Sequence, residues 1–181
     1  FVEGNRRMPA AAKERILGLI DKGVEEGAEL VVDDRNFSLQ GYEDGFFVGP
    51  HLFDKVTPDM EIYRQEIFDP VLSTVRAGSY EEALGLAMDH EYGNGTAIFT
   101  RDGDTARDFA NRVNIGMVGI NVPIPVPLAY HTFGGLNKSM FGDLNQHGPD
   151  SFKFYTRTKT LTARWPSGIK EGGEFNFKAM D

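Results

Sequence analysis

Glu66-Ile-Phe-Asp-Pro-Val71 sets a carboxylate two residues ahead of an aromatic ring, at the mouth of an apolar run. One carboxylate can accept hydrogen bonds from two adjacent hydroxyls, as it does on a nucleotide ribose. Taken alone, the hexapeptide reads more simply, as a solvated turn glutamate (Glu66) and a core phenylalanine (Phe68). His131 could serve as a general base. No serine or cysteine in an elbow context accompanies it, and a single histidine on an apolar wall is ordinarily structural. Asp143 and Asp150 could work as acid and base, but nothing in their spacing pairs them. Gly93-Asn-Gly95 looks like a phosphate cradle, yet its glycines precede a strand instead of opening a helix, so it reads as a turn. Phe133-Gly134-Gly135 and Phe141-Gly142 form a glycine-flanked loop whose backbone could approach a ligand or partner closely; an ordinary surface loop has the same composition.

The chain has no cysteine, which excludes disulfides, thiolate metal sites and a cysteine nucleophile within these residues. His51, His90, His131 and His147 lie too far apart for a short metal motif. A net charge of −8, a pI near 5.0 and scattered basic residues argue against a nucleic-acid surface, which needs clustered Lys and Arg. No apolar stretch reaches membrane-spanning length, and Phe1-Val-Glu-Gly-Asn-Arg-Arg7 lacks the layout of a signal peptide. The chain opens without an initiator Met and is expected to be a piece of a longer one. Absence of disulfides fits a cytosol-like compartment.

These candidates must be held by the elements around them. The chain has 181 residues, enough for one domain with a real core. Pro9 to about Gly23 reads as a helix, with Pro9 in the first turn and Ala12, Ile16, Leu19, Ile20 and Val24 at helical spacing. Ala28–Val32 reads as a strand, Asp33–Gly45 as turns, and Phe46–Phe53 as an extended segment with Pro50 near an edge. A short turn or helix from Thr57 leads to Glu66, and Val71–Val75 is a strand. Ser79-Tyr-Glu-Glu82 is a capping box for a helix with Ala83, Leu86 and Ala87 on its apolar face. Thr96–Thr100 and Met117–Ile120 are strands flanking a helix from Asp104 that carries Ala106, Phe109, Ala110 and Val113 on one side. Strand, helix, strand, helix, strand predicts a parallel α/β sheet with two such units between Val71 and Ile120.

After Ile120 comes Asn121-Val-Pro-Ile-Pro-Val-Pro-Leu128. Pro123, Pro125 and Pro127 each remove a donor and fix φ, so the segment must be extended and stiff. Its apolar wall needs a cover: another segment, another subunit or a ligand. Thr158–Trp165 alternates polar and apolar residues, as an exposed strand that pairs elsewhere would. Ser167–Asp181 is polar and reads as a loose tail.

Taken in order, these segments resemble the C-terminal part of an aldehyde dehydrogenase. The similar pieces are Tyr63–Leu72, Gly93–Thr100, Gly116–Asn121, Phe133–Gly135 with Phe141-Gly142, and Phe154–Trp165. The Asn121–Leu128 proline run and Tyr92–Asp102 narrow the resemblance to the CoA-acylating branch, the methylmalonate-semialdehyde dehydrogenases. It covers about residues 10 to 166. It implies a parallel sheet flanked by helices: residues 1–157 as the later portion of a catalytic domain, 158–166 as an oligomerisation arm strand, and 167–181 as a tail. Glu66 and Phe68 match positions that contact the nicotinamide-side ribose and ring of NAD. Pro125 and Phe133 match the loop lining the aldehyde pocket. Thr158–Trp165 matches the strand that joins a neighbouring subunit's sheet, so a homo-oligomer, dimer or tetramer, is implied.

The family reaction attacks the aldehyde with a cysteine thiolate, passes hydride to NAD and transfers the acyl group to CoA. Methylmalonate or malonate semialdehyde would give propionyl-CoA or acetyl-CoA with loss of carbon dioxide. The resemblance implies a cytoplasmic enzyme, or one of the mitochondrial matrix in a eukaryote. Several features depart from the family pattern. The nucleophilic cysteine, expected upstream, is missing from the chain, as is the cofactor domain with its lysine and general-base glutamate. Asp69 stands where the superfamily usually has glycine, Asn137-Lys138 differ from the usual residues, and the first nine residues match poorly. On this reading the chain alone is inactive, because no thioester forms without a thiolate. The alternative is a non-catalytic binding or assembly module built on the same fold.

Overall fold

A computed structural model describes residues 10–165. The apolar stripe at helical spacing forms helix α1 (Ala10–Glu25), with Ile16, Leu19 and Ile20 buried. Gly23 is buried too, because a Cβ there would stand 2.8 Å from the Ile62 side chain. The helix ends at Gly27, whose φ of +98° suits glycine. Gly27 N–H donates to the Val24 carbonyl and Ala28 N–H to that of Gly23, the reciprocal pair of a Schellman C-cap. Strand β1 (Glu29–Val32) runs antiparallel to β2 (His51–Asp54), and β2 runs parallel to β3 (Val71–Ser73) beyond the short helix α2 (Glu61–Arg64). Ile16, Ile20, Phe53, Val56, Ile62 and Ile67 fill the core between α1 and this sheet.

Helix α3 (Tyr80–Asp89) is capped by Ser79, whose Oγ accepts from the Glu82 N–H at 3.2 Å. The reciprocal half of the capping box is displaced by one residue: Glu82 Oε2 accepts from Gly78 N–H at 2.7 Å. Leu84 is the buried side chain of α3, while Ala83 is exposed and Leu86 and Ala87 are half-buried. This corrects the predicted face: the helix is rotated so that Leu84 meets Phe109 and Val113 in a second core.

The expected single parallel sheet is replaced by three small ones: β1-β2-β3, then β4 (Tyr92–Gly93) with β7 (Leu136–Asn137), then β5 (Gly95–Ile98) with β6 (Met117–Ile120). Between Val71 and Ile120, where two parallel strand-helix-strand units are predicted, only β5 and β6, joined by helix α4 (Gly103–Arg112), form one. Strand β3 is already paired with β2, and the chain after α3 spends Tyr92-Gly93 on β7 before the bend at Asn94. Gly93-Asn-Gly95 thus bends at Asn94 and joins two sheets. Asp102 Oδ1 caps α4 by accepting from Thr105 N–H at 2.6 Å. Ala106 and Phe109 are buried on α4, with Val113 just beyond it, and Ala110 faces solvent.

A short 3₁₀ turn at Gly148–Asp150 leads into helix α5 (Ser151–Tyr155). Thr158–Trp165 is exposed and has no strand pairing among the described residues. Pro9, Pro166 and the tail 167–181 lie outside the described residues.

Candidate functional site

The loop between α2 and β3 alternates its side chains. Glu66 is exposed, Ile67 is buried in the first core, and Phe68 is 86% exposed. The expectation of a core phenylalanine at 68 is overturned by the backbone. Phe68 adopts φ +61°, a left-handed conformation that turns its ring outward and that a Cβ disfavours by about 1–2 kcal/mol. The Glu66 carboxylate has no hydrogen-bond or ion-pair partner among the described residues. A free carboxylate beside an outward ring is chemically suited to a vicinal diol next to a flat heterocycle.

Beneath this loop lies a buried polar group that sequence reasoning missed. His51 is 3% exposed. Its Nδ1 lies 2.8 Å from the Gly49 carbonyl oxygen, and its Nε2 is 3.7 Å from Asp33 Oδ1, too far for a hydrogen bond. Asp33 in turn is held below the usual carboxylate range by its hydrogen bonds from Arg35. One oxygen of Asp69 is sealed from solvent without a partner. Burial pushes the Asp69 carboxyl upward, opposed by the charges of Arg15 and His51. The signal for His51 was its place between Pro50 and Leu52 inside an apolar run; nothing in its immediate neighbours announced a second titratable group nearby.

The proline run starts from an unusual residue. Asn121 has φ +57°. Its Oδ1 accepts from Thr100 N–H at 2.9 Å and its Nδ2 donates to the Thr100 carbonyl at 3.0 Å. The side-chain amide thus continues the β5–β6 pairing by one step while the main chain turns away. Pro125 folds back over that pair: a Cβ on Gly95 would lie 3.7 Å, and one on Gly119 3.3 Å, from its ring. Ile124, Val126 and Leu128 point to solvent. The apolar wall is therefore aliphatic on its open side, with the Pro125 ring turned inward.

Phe133 is half-buried and stacks on His147, with ring centroids 4.6 Å apart and planes inclined by 12°. The glycines after it are pressed into the structure. A Cβ on Gly134 would stand 2.1 Å from Asn145 Oδ1 and one on Gly135 2.9 Å from Ser139 Cβ. The loop is tied to β4 by Ser139 Oγ, which accepts from Gly93 N–H at 3.1 Å. Phe133, Gly134, Met140, Asp143 and Asn145 border a cavity of about 530 Å³. Pro125 and Asp150 are not among its lining residues, and His131 is exposed beside Tyr130. Glu66 and Phe68 thus sit on one loop and Phe133 on another. Among the described residues, no cluster of three or more histidine, aspartate or glutamate side chains could hold a metal ion.

Residues 8–161 match the aldehyde dehydrogenase family, and the chain belongs to that family. Among curated relatives, it is 56% identical over 172 residues to the malonate-semialdehyde dehydrogenase of Pseudomonas aeruginosa, covering 94% of this chain and 35% of that protein. It is 47% identical over 154 residues to the acylating, mitochondrial methylmalonate-semialdehyde/malonate-semialdehyde dehydrogenase of Bos taurus, covering 85% and 29%. A crystallised Sinorhizobium meliloti 1021 protein of methylmalonate-semialdehyde dehydrogenase designation, complexed with NAD, superposes with a TM-score of 0.81 at 72% identity, covering 90% of this chain and 33% of that one. The chain spans about a third of the length of these relatives. No helix among the described residues is long and apolar enough to cross a membrane.

Proposed function

We propose that this chain supplies the nicotinamide-side grip and one wall of the aldehyde pocket to an NAD-dependent, CoA-acylating dehydrogenase of malonate or methylmalonate semialdehyde. The observation that carries the reading is the pairing of an unpartnered, exposed Glu66 carboxylate with a Phe68 ring turned outward at φ +61°. Glu66 would accept the ribose hydroxyls, and Phe68 would limit where the nicotinamide ring can lie. NAD, when bound, takes up the hydride that leaves the aldehyde carbon. Phe133, stacked on His147, would present a rigid apolar edge to the substrate. The decarboxylated acyl group would leave as acetyl-CoA or propionyl-CoA. The thiolate that starts such a reaction is not supplied by these residues, which contain no cysteine.

The same reading assigns 1–157 to the later catalytic domain, 158–166 to an oligomerisation arm and 167–181 to a tail. The exposed, unladdered Thr158–Trp165 supports the arm.

Two assays test the proposal. The 181-residue chain, given NAD, CoA and malonate semialdehyde, is expected to show no turnover; robust acetyl-CoA formation would overturn the assignment of the nucleophile elsewhere. A chimera in which residues 10–165 replace the matching part of the Sinorhizobium meliloti relative is expected to bind NAD and to weaken on Glu66→Gln or Phe68→Ala. A chimera that folds and binds NAD equally well with both substitutions would favour the binding-module reading instead.

A further inference from the structure

Helix α1 reaches the proposed cofactor grip through one side chain. Arg15 Nη2 donates to the Ile67 carbonyl oxygen at 2.9 Å, a partly buried contact between residues 52 apart in sequence. Ile67 is the residue between Glu66 and Phe68. Its side chain is 8% exposed, in the same core as Ile16 of α1. The peptide that joins the two outward-facing residues is therefore fixed twice by α1, at its side chain through packing and at its carbonyl through Arg15.

The fixing has something to resist. A non-glycine residue at φ +61° relaxes toward negative φ unless its neighbours hold it. Relaxation at Phe68 would swing the ring and carry Glu66 with it. Asp69, on the far side of Phe68, also feels the Arg15 charge and has one sealed, unpartnered oxygen. A guanidinium can bond a carbonyl with one N–H while its remaining donors and charge face a carboxylate; an ammonium is a compact point charge without that planar fork.

We propose that Arg15 is the positioning residue of the cofactor grip, holding Glu66 and Phe68 in their outward arrangement through the Ile67 carbonyl. The assignment rests on the reading of Glu66 and Phe68 as NAD contacts. Arg15 itself touches no reacting atom.

The test separates the two claims. Hydrogen exchange on the unmodified 181-residue chain and on Arg15→Met, which keeps the aliphatic stem, reads the loop without any cofactor. The Val71 amide, which donates to the Asp69 carbonyl at 2.6 Å, should exchange roughly tenfold faster in the variant while the amides of β2 stay protected. In the chimera described above, the NAD dissociation constant from calorimetry should rise roughly five- to tenfold for Arg15→Met. Arg15→Lys should fall between the two. If Arg15 acts through the loop, its effect on NAD affinity should largely vanish in a Glu66→Gln, Phe68→Ala background. NAD affinity within about twofold of the parent in Arg15→Met, whether or not exchange changes, would overturn the positioning role. A parent chimera that folds but does not bind NAD would overturn the reading of Glu66 and Phe68 itself, and the exchange data would then describe a purely structural clamp.

Discussion

Gly116 lies backbone to backbone against Gly134: a Cβ added to Gly116 would stand 2.0 Å from the Gly134 carbonyl oxygen. Gly116 N–H also donates to the Gly93 carbonyl at 3.0 Å, so the residue is held between β4 and the Phe133 loop. The position of Phe133 over its cavity therefore depends on an absent methyl group 17 residues before it in the chain.

Gly116→Ala should cost about 2–3 kcal/mol, because backbone rather than a flexible side chain must give way. Urea denaturation of the chain, read by near-ultraviolet dichroism, checks it. A loss below about 0.5 kcal/mol would mean that the loop yields freely and that the close approach does not hold Phe133.

Phe68→Gly separates stability from function. Glycine accepts φ +61° without penalty, and the lost ring is exposed, so the denaturation midpoint should hold or rise, by up to about 1 kcal/mol. NAD affinity of the chimera should fall. A variant less stable than the parent would show that the Phe68 ring packs on something in solution.

Asn121→Ala removes two hydrogen bonds to Thr100 and leaves the β-carbon at φ +57° with no compensating amide. A loss of about 2–3 kcal/mol is expected. Asn121→Gly, which keeps the conformational freedom, should recover about 1 kcal/mol of it. Equal losses in the two variants would assign the whole effect to the hydrogen bonds.

Asp69 makes stability fall as pH rises. Its folded carboxyl titrates above the ordinary value of 3.8 because it is buried. The folded state thus binds more protons than the unfolded one within the window. Its contribution is complete below 3.8 and is lost as pH climbs through the raised folded value. Asp69→Asn should erase that decline: melting temperatures of parent and variant should converge near pH 4 and separate in favour of the variant toward pH 7. A gap that widens on acidification would reverse the sign and sink the account.

What the chain shows without coordinates is what neighbours in sequence decide. Ser79 is readable as a cap because it bonds an N–H three residues on; Asp102 caps α4 in the same way, although the sequence pattern starts that helix at Asp104. The stripe of Ile16, Leu19 and Ile20 is readable because helical spacing is local. Glu66 and Phe68 stand out by type, but the outward turn of Phe68 is set by Arg15 and Ile67 acting across the core, so the hexapeptide alone points the ring inward. The prolines announce stiffness. Which face of the run meets the sheet is decided by missing side chains at Gly95 and Gly119, one on each of two strands. Strand partners are the least legible: the strand-helix alternation predicts one parallel sheet, whereas β3 pairs with β2, β4 with β7 and β5 with β6.

The proline run bears on how this protein can meet other molecules. Ile124, Val126 and Leu128 offer an open aliphatic face, and the prolines between them remove the N–H group at every second position. In an extended chain those positions share one edge, which therefore offers carbonyls without donors and cannot template a partner strand. Main-chain pairing is left to the single edge that carries the Ile124, Val126 and Leu128 amides, so a second chain can add on one side and the two-sided stacking of a fibril has no continuation through this segment.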